Sequence, residues 1–178
     1  PVGVAISQCT DAVQSMLSIL WSYGGKVMEA DGSTIALNSK ETAQSIEYVK
    51  ALYNETMESE VLSWDNAGNN RFMIAGKGSW IQNPSSHYIT AKTSKLKVAE
   101  QIYFHQTPAG PHGRHTVVNL RSMGVWKFSK AGDLSKDLIR HLFNEERYID
   151  YVTSSDNYNH PIFTKFETHP VWNIDPKY

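Results

Sequence analysis

A single cysteine, Cys9, stands among 178 residues, so no internal disulfide can form and cysteine usage leaves the redox compartment open. Charge of neither sign is in surplus: Lys and Arg number 17 against 18 Asp and Glu. That balance argues against a general nucleic-acid binder, which needs excess cations to neutralise phosphates. No apolar run approaches the roughly 20 residues of a membrane-spanning helix. Phosphate-binding glycine motifs are missing as well. Gly76-Lys77-Gly78 is too short for a P-loop and no GxGxxG occurs, while Gly78-Ser79-Trp80 lacks the second half of a nucleophile elbow. Nothing in these patterns supports an enzyme.

What remains is an ordinary globular composition, 40% apolar and 20% charged, at a length suited to about one domain with a proper core. Val2–Ser7 reads as an apolar strand. It feeds "CTDAVQSMLSILWSYGG", in which Thr10 or Asp11 is an N-cap candidate and Asp11 with Gln14 has capping-box spacing. Val13, Met16, Leu17 and Leu20 recur at helical period until Gly24-Gly25 stops the helix. Asp31-Gly32 marks a hairpin inside "KVMEADGSTIAL". Asn38 and Glu41 open a second helix with Ala43, Ile46, Val49 and Tyr53 on one face.

The polar loop "LSWDNAGNN" leads into a short helix through Arg71, Phe72 and Ile74, which Gly76 and Gly78 end before an extended segment through Trp80. Ser85–Thr93 reads as helix and Val98–Phe104 as strand. "HQTPAGPHGRH" is a Pro/Gly loop. Thr116–Leu120 and Met123–Phe128 are further strand candidates, and Asp133–Val152 is the longest predicted helix. "SSDNYNHP" and the tail to Tyr178 are irregular. Interleaved strands and helices give an α/β class. The abrupt opening at Pro1, inside a strand pattern, reads as a piece of a longer protein.

Three histidines, His105, His112 and His115, raise the question of metal. A metal centre needs three or four converging ligands with supporting hydrogen bonds. These lie in a Pro/Gly loop with no cysteine to complete a zinc set, which favours plain surface histidines. A metal-dependent hydrolase built on the three is the alternative reading. Cys9 precedes a helix, where a thiolate can be stabilised, but a small buried residue at a strand end is the simpler role.

A second pattern is the recurrence of aromatics beside polar loops. Trp80 is followed by Gln82 and Asn83, and Trp64 by Asp65, Asn66, Asn69 and Asn70. Gln8, Thr10 and Asp11 join the first strand to its helix, and Asn119, Arg121 and Ser122 lie between two extended runs. Strand-end loops are where α/β folds tend to bind ligands. An aromatic face beside amides and carboxylates suits a polyol, whose C–H face stacks while its hydroxyls pair. Each loop alone is ordinary turn chemistry, and a lone Trp is more often core than platform.

Taken in order, "LWSYGGKVMEADGSTIALNSKETAQSIEYVKALY", "RFMIAGKGSWIQN" and "TPAGPHGRHTVVNLRSMGVWKFSKAGDLSKDLIRHLFNEERYIDYV" resemble segments of the family 1 extracellular solute-binding proteins of ABC importers, a family that includes maltose-binding protein. "PIFTKFETHPVWNIDPKY" fits the family's later segment. The resemblance implies two α/β lobes around a hinge, with this chain, residues 1–178, as most of the C-terminal lobe: a mixed sheet with flanking helices. It implies capture of a sugar or polyol, no cofactor, a membrane permease as partner, no nucleic acid, and a periplasmic or extracellular location. The family's aromatic platform falls on Trp80, with Asn83 at its edge. Its cleft loops fall on Gln8, Thr10 and Asp11, on Asn119 and Arg121, and on Asp65, Asn66 and Asn70. "NLRS" departs from the small residues common there. Arg121 implies either an acidic ligand or an internal partner for Asp11 or Asp65.

Overall fold

A computed structural model describes residues 1–159 and 162–177. Residues 160, 161 and 178, the ends of the expected loop and tail, lie outside the described residues. The described chain divides into two compact units, Pro1–Val118 and Asn119–Tyr178.

In the first unit, strand β1 (Val2–Gly3) pairs in parallel with β2 (Trp80–Ile81), Val2 opposite Trp80 and Gly3 opposite Ile81. Among the described residues this two-stranded ladder is the whole sheet, so the mixed sheet expected from the sequence is reduced to one short parallel pair. Helices α1 (Thr10–Ser22), α2 (Lys40–Thr56), α3 (Gly68–Ile74) and α4 (Ser86–Thr93) surround it. The expected hairpin forms. Met28 bridges Ile35 in antiparallel fashion, and Asp31 receives the backbone N–H groups of Ser33 and Thr34 and the Thr34 hydroxyl. Those bonds favour the carboxylate and hold the Asp31 pKa at about 2.

Two glycines explain how helix α3 passes into β2. Gly76 takes φ +68°, the left-handed helix stop that a side chain resists, and the N–H groups of Gly76 and Lys77 return to the carbonyls of Met73 and Phe72. Gly78 has an ordinary φ, but a Cβ there would sit inside the Phe72 ring. Phe72, Trp64, Val61, Ala5 and Ala12 form one buried cluster, with Ile81 packed against it. On its other side α3 supplies Met73 and Ile74 to a second cluster around Tyr88, Ala91 and Ile102.

Several boundaries differ from expectation. Helix α1 buries Ala12, Ser15, Ser18, Leu20 and Ser22; of the expected apolar stripe Leu20 is buried, Met16 and Leu17 are half-buried and Val13 is exposed, so small residues share the inward face with Leu20. Ser39, rather than Asn38, caps α2 by accepting from the Thr42 N–H; α2 buries Ser45 and leaves Ile46 exposed. The expected strand over Val98–Phe104 begins as a 3₁₀ turn, Lys97–Gln101. Thr116–Leu120 and Met123–Phe128 form no strand, having no ladder partner among the described residues.

The second unit holds α5 (Gly132–Leu142) and α6 (Glu145–Ser154), so the predicted long helix is two. Asn144 divides them, accepting from the Arg147 N–H as the N-cap of α6. Tyr148 and Val152 of α6 pack with Phe166 and Val171 to form this unit's own core.

Candidate functional site

Because β1 and β2 run parallel, the segments leaving them emerge at the same edge of the pair. From β1 the chain passes through Gln8 and Cys9 into α1, placing Asp11 in its first turn. From β2 it passes through Gln82 and Asn83 into α4. Helix α3 brings Asn69 and Asn70 alongside. The result is a polar cluster at the carboxyl edge of the strands.

Its anchor is Asn69, which is 1% exposed. The Asn69 amide donates to Oδ2 of Asp11 at 2.9 Å and reaches the Gln82 carbonyl at 3.5 Å, while its Oδ1 accepts the Asn70 N–H at 2.8 Å. The Asp11 N–H in turn donates to Oδ1 of Asn66 at 3.2 Å. That bond satisfies one of the first-turn donors that a helix leaves open. Cys9 occupies the N-cap position without a side-chain cap, so neither Thr10, Asp11 nor the Asp11–Gln14 spacing serves as the cap.

Beside this pair lies a second group. Asn70 donates to the Ser86 hydroxyl at 3.1 Å, and the Asn83 amide donates to Oδ1 of Asn70. Asn83 also lies 3.4 Å from the Ser86 hydroxyl. His87, buried one residue on, sets its Nδ1 3.1 Å from the Pro84 carbonyl. A carbonyl only accepts, so in the neutral ring the proton sits on Nδ1. Burial pushes the His87 pKa below its ordinary value, against the opposing pull of that carbonyl.

The structure thus joins Asp11, Asn66, Asn70 and Asn83 of the sequence-expected residues. Trp80, half-buried, precedes the cluster on β2. Alternation along a strand sends it to the face opposite Ile81, and Ile81 packs into the core. Gln8 and Thr10 are exposed and flank Cys9 in the same connection. Asp65 is engaged elsewhere: Arg71 reaches its two oxygens at 2.8 and 3.3 Å, and that hydrogen bonding is the main cause of its lowered pKa. Trp64 is core, tilted against Phe72 at 5.2 Å. Asn119 and Arg121 are exposed residues of the second unit. The carboxylates that Arg121 was expected to meet have other partners, Asn69 for Asp11 and Arg71 for Asp65.

Sequence reasoning passed over Ser86 and His87, and the anchoring role of Asn69. A signal was present in "NPSSH", where Pro84 and two serines announce a helix start that carries its polar side chains back toward Asn83.

The histidine trio does not assemble a centre. His112 lies against the end of α1, its N–H donating to the Ser22 carbonyl and its ring beside Gly24. His115 sets its Nε2 3.3 Å from the His112 backbone carbonyl. Among the described residues no group of three or more His, Cys, Asp or Glu could hold a metal ion. A cleft of about 430 Å³ opens at the other edge of the strands, lined by residues that include Pro1, Asn54, Glu58 and Ser79; none of the cluster contributes to it.

With this geometry in hand, comparison with solved structures finds maltose-bound MalE3 of T. maritima. It aligns over 96% of this chain with a TM-score of 0.76 at 19% sequence identity. The chain has a maltose-binding-protein-like fold. It spans 45% of the MalE3 chain, less than half of that protein's length. No family model matches the sequence, and no curated protein matches it. The maltose-binding-like fold therefore stands on backbone shape.

Proposed function

We propose that this chain supplies part of the binding cleft of a solute-binding protein, which captures a neutral sugar or polyol outside the cytoplasmic membrane and delivers it to the permease of an ABC importer. The observation that carries the reading is the cluster of Asp11, Asn66, Asn69, Asn70, Asn83 and Ser86 at the carboxyl edge of two parallel strands, where ligands of α/β folds gather. Trp80 supplies an aromatic face and the cluster supplies donors and acceptors for hydroxyls. The likeness to a maltose-bound protein supports the same class of ligand.

A neutral solute fits better than an acidic one. Within the cluster the one formal charge is the Asp11 carboxylate, and Arg71 on α3 is tied to Asp65. No bond is made or broken: affinity comes from stacking, hydrogen bonding and exclusion of water as lobes close around a hinge.

The test is thermal shift of the natural protein that contains this chain, against maltose, other neutral sugars and the matching sugar acids. Binding raises Tm by linkage. At least one neutral sugar raises Tm, and Asp11→Ala abolishes the response. Silence across the neutral sugars, or a response confined to acids, removes the proposal.

A further inference from the structure

His87 is the second residue of α4 and is 4% exposed. Its Nδ1 faces two groups at once, the Pro84 carbonyl at 3.1 Å and Nδ2 of Asn83 at 3.5 Å. With the proton on Nδ1 the carbonyl is a proper partner, and the Asn83 amide, itself a donor, is not. That amide directs its hydrogens elsewhere, to Oδ1 of Asn70 and toward the Ser86 hydroxyl. The ring also packs against Phe104, with centroids 5.8 Å apart and planes at 61°. Apolar surface and an adjacent NH2 group make a poor setting for a second proton.

We propose that His87 is a pH-sensitive positioning residue for the polar cluster: its neutral ring keeps the Asn83 amide turned toward Asn70 and Ser86, and its protonation turns that amide round and releases bound sugar. On the solute-capture reading above, on which this regulation rests, sugar is held at neutral pH and let go in acid. The second proton goes to Nε2 and makes the ring a cation. Positive charge then lies 3.5 Å from the positive end of the Asn83 amide. Half a turn about the last side-chain bond brings Oδ1 of Asn83 to the ring instead, as an acceptor. The same rotation sets that oxygen against Oδ1 of Asn70, acceptor against acceptor, so the bonds of Asn83 to Asn70 and Ser86 are lost. Ligand hydroxyls then meet a changed pattern of donors and acceptors.

The surrounding charges leave this switch to the ring itself. Helix α4 carries Tyr88 and Lys92, and α3 carries Arg71, which is tied to Asp65. The turn before Phe104 carries Lys97 and Glu100, and Tyr103 and His105 flank that ring. Asp11 is held by Asn69. The His87 pKa answers to burial first and to the Pro84 carbonyl second, and to none of these charges.

The natural protein that contains this chain is titrated calorimetrically between pH 5 and 7.5 with maltose, or whichever other neutral sugar most raises its Tm. Below the folded pKa of His87, affinity falls by up to about tenfold per pH unit, the limit for one linked proton. Reciprocity requires sugar binding at that pH to expel the proton, so the binding enthalpy varies with the ionisation enthalpy of the buffer. His87→Gln keeps an amide donor for the Pro84 carbonyl and does not titrate; whatever its affinity at pH 7.5, both signatures disappear. The side-chain amide resonances of Asn83, assigned by their loss in Asn83→Ala, move with the same midpoint as the His87 ring. A wild-type urea midpoint that drops with pH while sugar affinity stays level makes His87 merely structural and overturns the proposal. A fall in affinity that persists in His87→Gln overturns it as well. A protein that answers to no sugar sinks the ligand reading and the release with it; Asn83 resonances that still follow His87 then sustain the positioning, and resonances that stay fixed overturn it.

Discussion

The Asn69 amide donates to Oδ2 of Asp11 at 2.9 Å across 58 positions of sequence, and from that bond the rest of the polar cluster takes its arrangement. Asn69→Ala removes a buried group with three hydrogen-bonding contacts. Leaving buried partners unpaired costs about 1–3 kcal/mol. Urea unfolding should show a lower midpoint with an unchanged m value. Asn69→Asp should be worse at neutral pH, because it sets a second carboxylate against Asp11, and should recover toward the Ala variant as the pH is lowered to 4. A midpoint within experimental error of wild type for Asn69→Ala would show that the bond does not hold in solution.

The two glycines around Lys77 separate backbone strain from collision. Gly76 has φ +68° and open space about it, so Gly76→Ala meets only the left-handed penalty, about 1–2 kcal/mol. Gly78→Ala drives a methyl into Phe72 and should cost roughly 1–3 kcal/mol through overpacking. A smaller residue at 72 relieves only the second. In a double-mutant cycle, Phe72→Leu should couple to Gly78→Ala by about 1 kcal/mol or more and add independently to Gly76→Ala. Equal coupling to both would discard the distinction.

His87 gives the fold a pH dependence of known sign. Its folded pKa lies below the ordinary histidine value because burial disfavours the imidazolium. As the pH falls below about 6.5, the unfolded chain takes up a proton before the folded ring does, so stability falls. The loss continues until the folded pKa is passed, and above pH 7 the contribution is complete and level. Chemical unfolding between pH 5 and 7.5 should therefore give a steeper stability profile for wild type than for His87→Gln. Parallel profiles would mean that the ring is solvated in the folded protein.

How much of this was legible in the sequence depends on how far each signal had to reach. Gly24 and Gly76 stop helices by their own backbone freedom, and Asp31-Gly32 turns by local bonds, so these were readable. Asn144 was readable in kind: an Asn followed by two glutamates is a helix start, but the continuing apolar period from Leu134 to Val152 concealed it. The misread strands failed for a different reason. Val117, Val118, Trp126 and Phe128 have strand-type side chains, but a strand also needs a partner, and a pattern of side chains does not name one. The first turn of α1 shows the same limit. Its donor is met by Asn66, 55 positions away, so no local capping rule could find it. Individual amides were visible as a polar loop; which of them was buried and oriented the rest was decided by contacts distant in sequence, such as that of Asn69 with Asp11.

The last prediction concerns what this chain can do without the rest of a cleft. If Trp80 and the Asp11 cluster form part of the binding surface, the 178-residue chain presents that part to water, and a sugar placed on it keeps most of its hydration. Loss of the opposing contacts and of water exclusion should weaken binding by roughly 100-fold or more, about 2.7 kcal/mol, relative to the natural protein. Isothermal titration with the neutral sugar that most raises the Tm of the natural protein compares the two directly. Trp80→Ala should weaken the natural protein through loss of the stacking face while leaving its urea midpoint much less changed, because Trp80 is half-buried and the Phe72 cluster forms without it. Full-strength binding by the 178-residue chain alone would show that the site is complete within it, and undiminished affinity in Trp80→Ala would take the tryptophan out of the cleft.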